Sequence, residues 1–165
     1  MSTNNQNNHS RSPVKKVFNV CATIIFISVL GFYAYKTVQS YLGQQAIDNS
    51  GLALLTLDQA LKVANNTNKL VLADMSAIWC PVCRKLDQQV FSDKRVKIQL
   101  NQYFVYARIK YESAKGKRFM QKYHVTGFPT LLVLNAQGEK LIQLPINYKP
   151  LPFLATLQKV VEESR

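Results

Sequence analysis

The stretch "MSAIWCPVCRKLD", Met75 to Asp87, places Cys80 and Cys83 two residues apart, directly behind a tryptophan. Such a pair is either a redox couple or half of a metal site. The third cysteine, Cys21, lies within an apolar run, and three cysteines are too few for a structural disulfide framework. The chemistry of this chain therefore depends on Cys80 and Cys83.

A metal site at this pair would need two further ligands. The chain has no second cysteine pair, and its two histidines are His9 in the N-terminal region and His124, far beyond Cys83. A lone histidine is more often a packing or surface residue than a ligand. We therefore expect no metal and no cofactor, and zinc or copper binding is the less favoured alternative.

The residues around the pair predict a strand, a loop and a helix. "KLVLADMSA" is a short apolar run with β character, and "PVCRKLDQQVF" has a helical pattern. Cys80 would then begin the helix, where free N–H groups and the helix dipole lower the pKa of a thiol. Pro81 suits the first turn, because its missing N–H costs nothing there. Cys83 follows one turn later and can release a mixed disulfide formed at Cys80, so we expect Cys80 to be exposed and Cys83 more buried.

Helical and strand patterns alternate between Leu57 and Glu163, which predicts an α/β layered fold. Ser92 is the predicted cap of the helix that follows the one carrying the cysteines. The other predicted helices are "TLDQALKVANNTN", "SDKRVKIQLNQ", "SAKGKRFMQKYH" and "PLPFLATLQKVVEE", and the other predicted strands are "YFVYARIKY", "PTLLVLN" and "KLIQLP".

The N-terminal third of the chain has a different composition. Residues 1–16 begin with a polar, Asn-rich segment that predicts a disordered tail. The run from Val17 to Tyr35 carries no charge and is long enough for a helix that crosses a bilayer. We assign residues 17–38 to a transmembrane helix, 39–51 to a linker and 52–165 to an exported domain. A cleaved signal peptide is the alternative, although its apolar region is normally shorter, about 7–15 residues.

Lysine and arginine outnumber acidic residues by 21 to 9, and the formal net charge is +12. The basic residues of the exported domain are scattered, so we expect no nucleic-acid partner. Arg11, Lys15 and Lys16 precede the apolar run and only Lys36 follows it closely, which places the N-terminus in the cytoplasm. The prediction is a single-pass protein of a bacterial inner membrane, with its domain in the periplasm, where thiols can be oxidised.

Three separated features resemble the thioredoxin family. "VLADMSAIWCPVC" is similar to the family's strand, acidic residue and Trp-Cys-x-x-Cys loop, and "VTGFPT" is similar to the loop bearing its cis-proline. The order of elements from Leu57 to Glu163 is the third. Within the family, "QQVFSDKRVKIQLNQYFVYARI" most resembles membrane-linked, exported domains of the thiol:disulfide interchange type. The resemblance implies an α/β, thioredoxin-like fold, in which helices flank a central mixed sheet. The predicted N-terminal transmembrane helix precedes this fold and is not part of the resemblance.

The resemblance also implies roles for the residues that match the family motifs. Cys80 would be the attacking nucleophile and Cys83 the resolving thiol. Asp74 would be a buried acid that accepts a proton from Cys83; the alternative is a strand-end residue in solvent. Arg108 falls where the family often has a lysine near that acid, or it points outward from an alternating strand.

Four further residues would form the substrate-binding surface. Trp79 would shield the cysteines. Pro129 would adopt the cis form after Phe128, a state that is rare without a structural reason. Its loop, flanked by Thr130, would dock an extended substrate strand through backbone hydrogen bonds.

The function implied by the resemblance is that of an exported, membrane-anchored thiol:disulfide oxidoreductase without a cofactor. Its partners would be exported proteins with disulfides or thiols, together with an upstream redox protein. The dipeptide between the cysteines is Pro-Val rather than the Gly-Pro of general thioredoxins, and Val82 offers a thiolate neither charge nor hydrogen bond. We favour a reducing role, because Asp74 would help to deprotonate the resolving thiol and Val82 does little to stabilise the reduced form. The alternatives are a disulfide oxidase or isomerase, and a non-catalytic thioredoxin-fold module that binds a partner or delivers a metal.

Overall fold

A computed structural model describes residues 13–164 of the chain. Residues 1–12 of the predicted tail lie outside the described residues. The remaining tail residues, 13–16, are helical. The chain divides into two compact units, one that ends at Thr37 and one that begins at Val38.

Helix α1 runs from Pro13 to Ser50. The apolar side chains of its first unit, such as Phe18, Ile25 and Phe32, are exposed. By length and composition this helix is able to cross a membrane, a criterion that signal sequences also meet. A helix that exposes apolar side chains on all sides is typical of one surrounded by lipid.

Residues 39–51, for which the sequence predicts a linker, continue α1 to Ser50. Ala46, Ile47 and Ser50 are buried in the second unit, and the Ser50 hydroxyl donates a hydrogen bond to the Ile47 carbonyl at 2.7 Å. The helix ends before Gly51, whose φ of +65° favours glycine. The segment stays helical because it has an apolar face that the domain buries.

Four strands form one mixed sheet, as the sequence analysis predicts. They are β1 (Leu70–Ser76), β2 (Phe104–Lys110), β3 (Thr130–Leu134) and β4 (Lys140–Leu144). Their order is β2-β1-β3-β4, with β1 parallel to β2 and antiparallel to β3, and with β3 antiparallel to β4. The central strand β1 therefore brings the end of β2 and the start of β3 to its own carboxyl end, where the cysteine loop begins.

Helices cover both faces of the sheet. They are α2 (Leu57–Thr67), α3 (Pro81–Leu86) with a π-helical turn (Asp87–Phe91), α4 (Lys94–Tyr103), α5 (Ala114–Tyr123) and α6 (Pro150–Glu163). One core joins Leu72 to Phe91 and Phe153, and the other joins Val71 to Phe119. Because side chains alternate along a strand, Asp74 lies on the same face as Leu72, beneath α3 and the π-helical turn.

The cap of α4 is Asp93 and not Ser92, so the sequence prediction is wrong by one residue. The Asp93 carboxylate accepts a hydrogen bond from the Arg95 backbone N–H at 2.8 Å. Ser92 instead ends the π-helical turn, where its N–H donates to the Asp87 carbonyl at 3.0 Å. Ser92 is thus the C-cap of the π-helical turn, and the next residue, Asp93, caps α4.

We expect Asp93→Ala to lower the free energy of unfolding by about 1 kcal/mol, the usual value of a helix cap. The side-chain hydrogen bond from Arg95 lowers the pKa of Asp93 to about 2. A lowered folded-state pKa means that the charge-dependent part of this contribution is complete above about pH 4 and is lost as the pH falls towards 2. Urea unfolding of wild type and variant in detergent at pH 7 and pH 3 measures the difference. An equal loss at both pH values would contradict a contribution from the charge.

Candidate active site

Cys80 and Cys83 form a disulfide at the start of α3, with a Cα–Cα distance of 5.3 Å, as disulfide geometry requires. Cys80 is the N-cap of α3, and Pro81 occupies the first turn. The backbone N–H of Cys83 donates to Cys80 Sγ at 3.1 Å. After reduction, this same N–H is placed to stabilise a Cys80 thiolate.

Both cysteines are buried, each with 2% of its surface exposed. The expectation of an exposed Cys80 is therefore wrong for the disulfide form. The physical reason is an aromatic cover, because Trp79, Tyr111 and Phe128 pack against the pair. A substrate must displace part of this cover to reach Cys80 Sγ.

The aromatic cover is an ordered cluster. The Phe128 ring lies 4.4 Å from the Tyr111 ring and 5.5 Å from the Trp79 ring, centroid to centroid, with an edge-to-face contact to Trp79. The Trp79 indole N–H donates to the Glu112 carboxylate at 2.8 Å. Sequence reasoning missed Tyr111 and Glu112, although they directly follow β2, whose parallel alignment with β1 brings both strand ends to one edge.

The Phe128–Pro129 peptide bond is cis. Thr130 pairs with Met75 of β1, so the cis bond lies beside the strand that leads to the cysteines. Thr130 is buried, and its hydroxyl donates to the Gly127 carbonyl at 2.8 Å. Of the predicted substrate-binding residues, the structure thus brings Trp79 and Phe128 against the cysteines, while the Thr130 side chain stabilises its own loop.

Asp74 is buried in β1, with 2% exposed, and does not face solvent. The Tyr106 hydroxyl donates to Asp74 Oδ2 at 2.5 Å, and Arg108 Nη1 lies 3.4 Å from the same oxygen. Asp74 Oδ1 has no hydrogen-bond partner within residues 13–164. Arg108 is likewise turned inward, with its side chain 10% exposed, which excludes the outward alternative.

Arg108 also binds a second carboxylate, Asp87, through two parallel hydrogen bonds. Nη1 donates to Oδ1 at 2.7 Å and Nη2 donates to Oδ2 at 3.0 Å. Asp87 opens the π-helical turn and is buried. Sequence reasoning missed it, although its position four residues after Cys83 places both side chains on one helix face.

The three buried side chains around Asp74 have shifted pKa values. Burial raises the pKa of Asp87, and the Arg108 hydrogen bond only partly opposes this. Burial also raises the pKa of Tyr106 well above its usual value, which keeps the phenol protonated as a donor. Burial alone would lower the pKa of Arg108, but Asp74, Tyr106 and Asp87 raise it. Asp74 and Asp87 therefore share one buried cation, Arg108.

Metal ligands are not grouped in the part of the chain that the structure describes, where no three His, Cys, Asp or Glu side chains form a possible site. The free thiol of Cys21 is exposed on α1. The described domain thus holds a disulfide and, beneath it, a buried charge cluster formed by Asp74, Arg108 and Asp87.

Thiol:disulfide interchange proteins are among the known proteins that this chain resembles. The "Thiol:disulfide interchange protein DsbD" of Pasteurella multocida is 28% identical over 146 residues, which are 82% of this chain and 25% of that protein. The chain spans a quarter or less of the DsbD relatives that it matches.

Solved structures agree with the fold. A thioredoxin from Thermus thermophilus superposes with a TM-score of 0.59 at 26% identity, covering 66% of this chain and 86% of that one. A candidate disulphide-isomerase from Bacteroides thetaiotaomicron gives a TM-score of 0.57 at 33% identity, covering 70% of this chain and 96% of that one. A family model described as "Thioredoxin-like domain" matches residues 57–160. The chain therefore belongs to the thioredoxin-like domain family.

Proposed function

We propose that this chain is a membrane-anchored thiol:disulfide oxidoreductase that reduces or exchanges disulfides of exported proteins through Cys80 and Cys83. The observation that carries the proposal is the disulfide at the start of α3, covered by Phe128 from the cis-proline loop. The shared family and the names of the DsbD relatives support the same chemistry.

The reaction is a pair of thiol–disulfide exchanges. In the reduced protein, the Cys80 thiolate attacks one sulfur of a substrate disulfide, and the other substrate sulfur leaves as a thiolate. The Cys83 thiolate then attacks Cys80 Sγ, which releases the second substrate thiolate and forms the Cys80–Cys83 disulfide. Two electrons pass from the dithiol to the substrate. An upstream dithiol protein returns the couple to its reduced state.

The remaining predicted residues bind the substrate or move protons. Trp79 and Phe128 cover the pair and would frame the incoming disulfide. The Pro129 loop, with Thr130 at the start of β3, would align an extended substrate segment by backbone hydrogen bonds. Asp74 would accept the proton of Cys83, since it is buried on the face beneath α3 and Oδ1 is free to accept.

The anchor would be residues 17–38, with the N-terminus in the cytoplasm and the domain in the periplasm of a bacterial inner membrane. The exposed apolar side chains of α1 support the anchor, and the basic residues before them support this orientation. Labelling of the reduced cysteines in intact spheroplasts with a membrane-impermeant maleimide tests it. Labelling that requires disruption of the inner membrane would reverse the orientation, and a soluble product beginning near residue 41 would show cleavage.

The activity itself is tested with the full chain in detergent, first reduced and then mixed with insulin. We expect stoichiometric insulin reduction without a metal or cofactor, and catalytic turnover when dithiothreitol replaces the upstream partner. Reactivation of scrambled ribonuclease in a glutathione buffer is measured in parallel. It distinguishes an isomerase, the activity in the name of the Bacteroides relative, from a reductase. No exchange in either assay would leave a binding module as the function.

Asp74→Asn should slow insulin turnover by about 10-fold or more, the usual scale of general acid–base effects. The first attack by Cys80 should be nearly unchanged, because the lost proton transfer belongs to the release step. Tyr106→Phe is the matched control, since it removes one hydrogen bond to Asp74 and keeps the carboxyl group. Turnover and the rate of mixed-disulfide formation are measured separately. Equal turnover in wild type and Asp74→Asn would remove Asp74 from the mechanism.

A further inference from the structure

The last turns of α1 lie directly against the loop that carries the cysteines. Gly43 is so close to this loop that a Cβ atom at Gly43 would overlap the carbonyl oxygen of Ile78. Ile78 precedes Cys80 by two residues, so the contact is with the backbone of the active-site loop itself. Only a residue without a side chain permits this approach.

A second contact joins the same face of α1 to the residue that follows Cys83. Arg84, the residue after Cys83, donates a hydrogen bond from Nη1 to Gln39 Oε1 at 2.5 Å. Gln39 precedes Gly43 by four residues, and residues at this spacing share one helix face. One turn further on, Ala46 and Ile47 are buried and hold the helix in place.

We propose that residues 39–47 of α1 are a positioning element of the redox site. The element holds the loop from Ile78 to Cys80 so that Cys80 Sγ stays within reach of the Cys83 N–H, at 3.1 Å in the disulfide form. This inference rests on the proposed exchange function and adds residues that the family match, which begins at residue 57, does not include. A domain cut at residue 52 would lack the element.

The expected effect has a direction. Gly43→Ala forces either the helix or the Ile78 carbonyl to move, because the overlap is with backbone. A displaced loop weakens the N–H···S contact that stabilises the Cys80 thiolate. The dithiol is then less favoured, and its equilibrium constant with glutathione should shift towards the disulfide by about tenfold, the scale of one lost hydrogen bond to a charged group. Cys80 should also need a higher pH for rapid alkylation.

The experiment uses the full chain in detergent and three variants. Gly43→Ala introduces the overlap, and Gln39→Ala removes the hydrogen bond from Arg84 without adding atoms. Gly31→Ala is the matched control, because it makes the same change in the same helix where nothing lies within 4 Å. The readouts are the equilibrium in glutathione buffers, the pH profile of Cys80 alkylation by mass spectrometry, and the thermal unfolding midpoint.

We expect Gly43→Ala to shift the equilibrium and the alkylation profile, Gln39→Ala to shift both in the same direction by a smaller factor, and Gly31→Ala to match the wild type. A Gly43→Ala variant that unfolds at a lower temperature but keeps the wild-type equilibrium and profile would show a merely structural contact and overturn the proposal. If Gly43→Ala does not fold, Gln39→Ala decides alone. A wild-type chain without any exchange would instead defeat the proposed function.

Discussion

Cys80→Ser should abolish disulfide exchange, whereas Cys83→Ser should keep the first attack and accumulate mixed disulfides. Cys80 is the N-cap of α3 and its sulfur accepts a hydrogen bond from the Cys83 N–H, so we expect this thiol to be the one whose thiolate is stabilised. Loss of this nucleophile should lower insulin turnover by at least about 10³-fold, the scale on which covalent nucleophiles act. Release of the mixed disulfide needs the second thiol, so the reaction of Cys83→Ser should stop at the mixed disulfide between Cys80 and the substrate.

Non-reducing gels and mass spectrometry of cells that express each variant measure the trapped adducts. Cys21→Ser is the control, because it removes an exposed thiol of α1 and leaves the pair intact. Its turnover should equal that of the wild type. Adducts on Cys80→Ser rather than on Cys83→Ser, or faster alkylation of Cys83 at mildly acidic pH, would reverse the assignment of the attacking thiol.

Arg108→Met should lower the free energy of unfolding by about 3–5 kcal/mol, the usual cost of removing one partner of a buried ion pair. Arg108 is the cation that both Asp87 and Asp74 contact, and its side chain is 10% exposed. Methionine keeps much of the volume but leaves two buried carboxyl groups without their cation. Arg95→Met removes a surface ion pair with Asp93 and should change stability far less, because solvent screens an exposed ion pair.

The loss in Arg108→Met should depend on pH. Burial already raises the pKa of Asp87 above its unfolded-state value, and removal of Arg108 takes away the interactions that oppose this. A raised folded-state pKa means that stability is complete below the unfolded-state pKa and is lost as the pH rises through the folded-state value. The variant should therefore lose less at pH 4 than at pH 8 in urea unfolding.

A second substitution, at a carboxylate of the same cluster, tests the same interaction. Adding Asp87→Asn to Arg108→Met removes one unpaired charge and should restore part of the lost stability, because residues in one network couple non-additively. Additive effects of the two substitutions would show that Arg108 contributes through packing alone.

Local sequence signals were sufficient for much of the fold. Short apolar and alternating runs placed the strands along the chain. The pair Cys80–Cys83 and the segment before Pro129 are each recognisable within a few residues, so the sequence alone indicated a candidate site. These features depend on residues that are close along the chain, so the periodicity and spacing of the sequence are enough to predict them.

The tertiary structure alone decided which side chains surround the pair. Asp87 and Arg108 are 21 residues apart and Gln39 and Arg84 are 45 apart, and no local pattern specifies that they meet. Burial of Cys80 depends likewise on aromatic side chains from three separate segments. The sequence determined the spacing of the cysteine pair and the order of elements, because these are local. The buried charges and the helix end beside the loop follow from sheet order and packing, which only the folded chain defines.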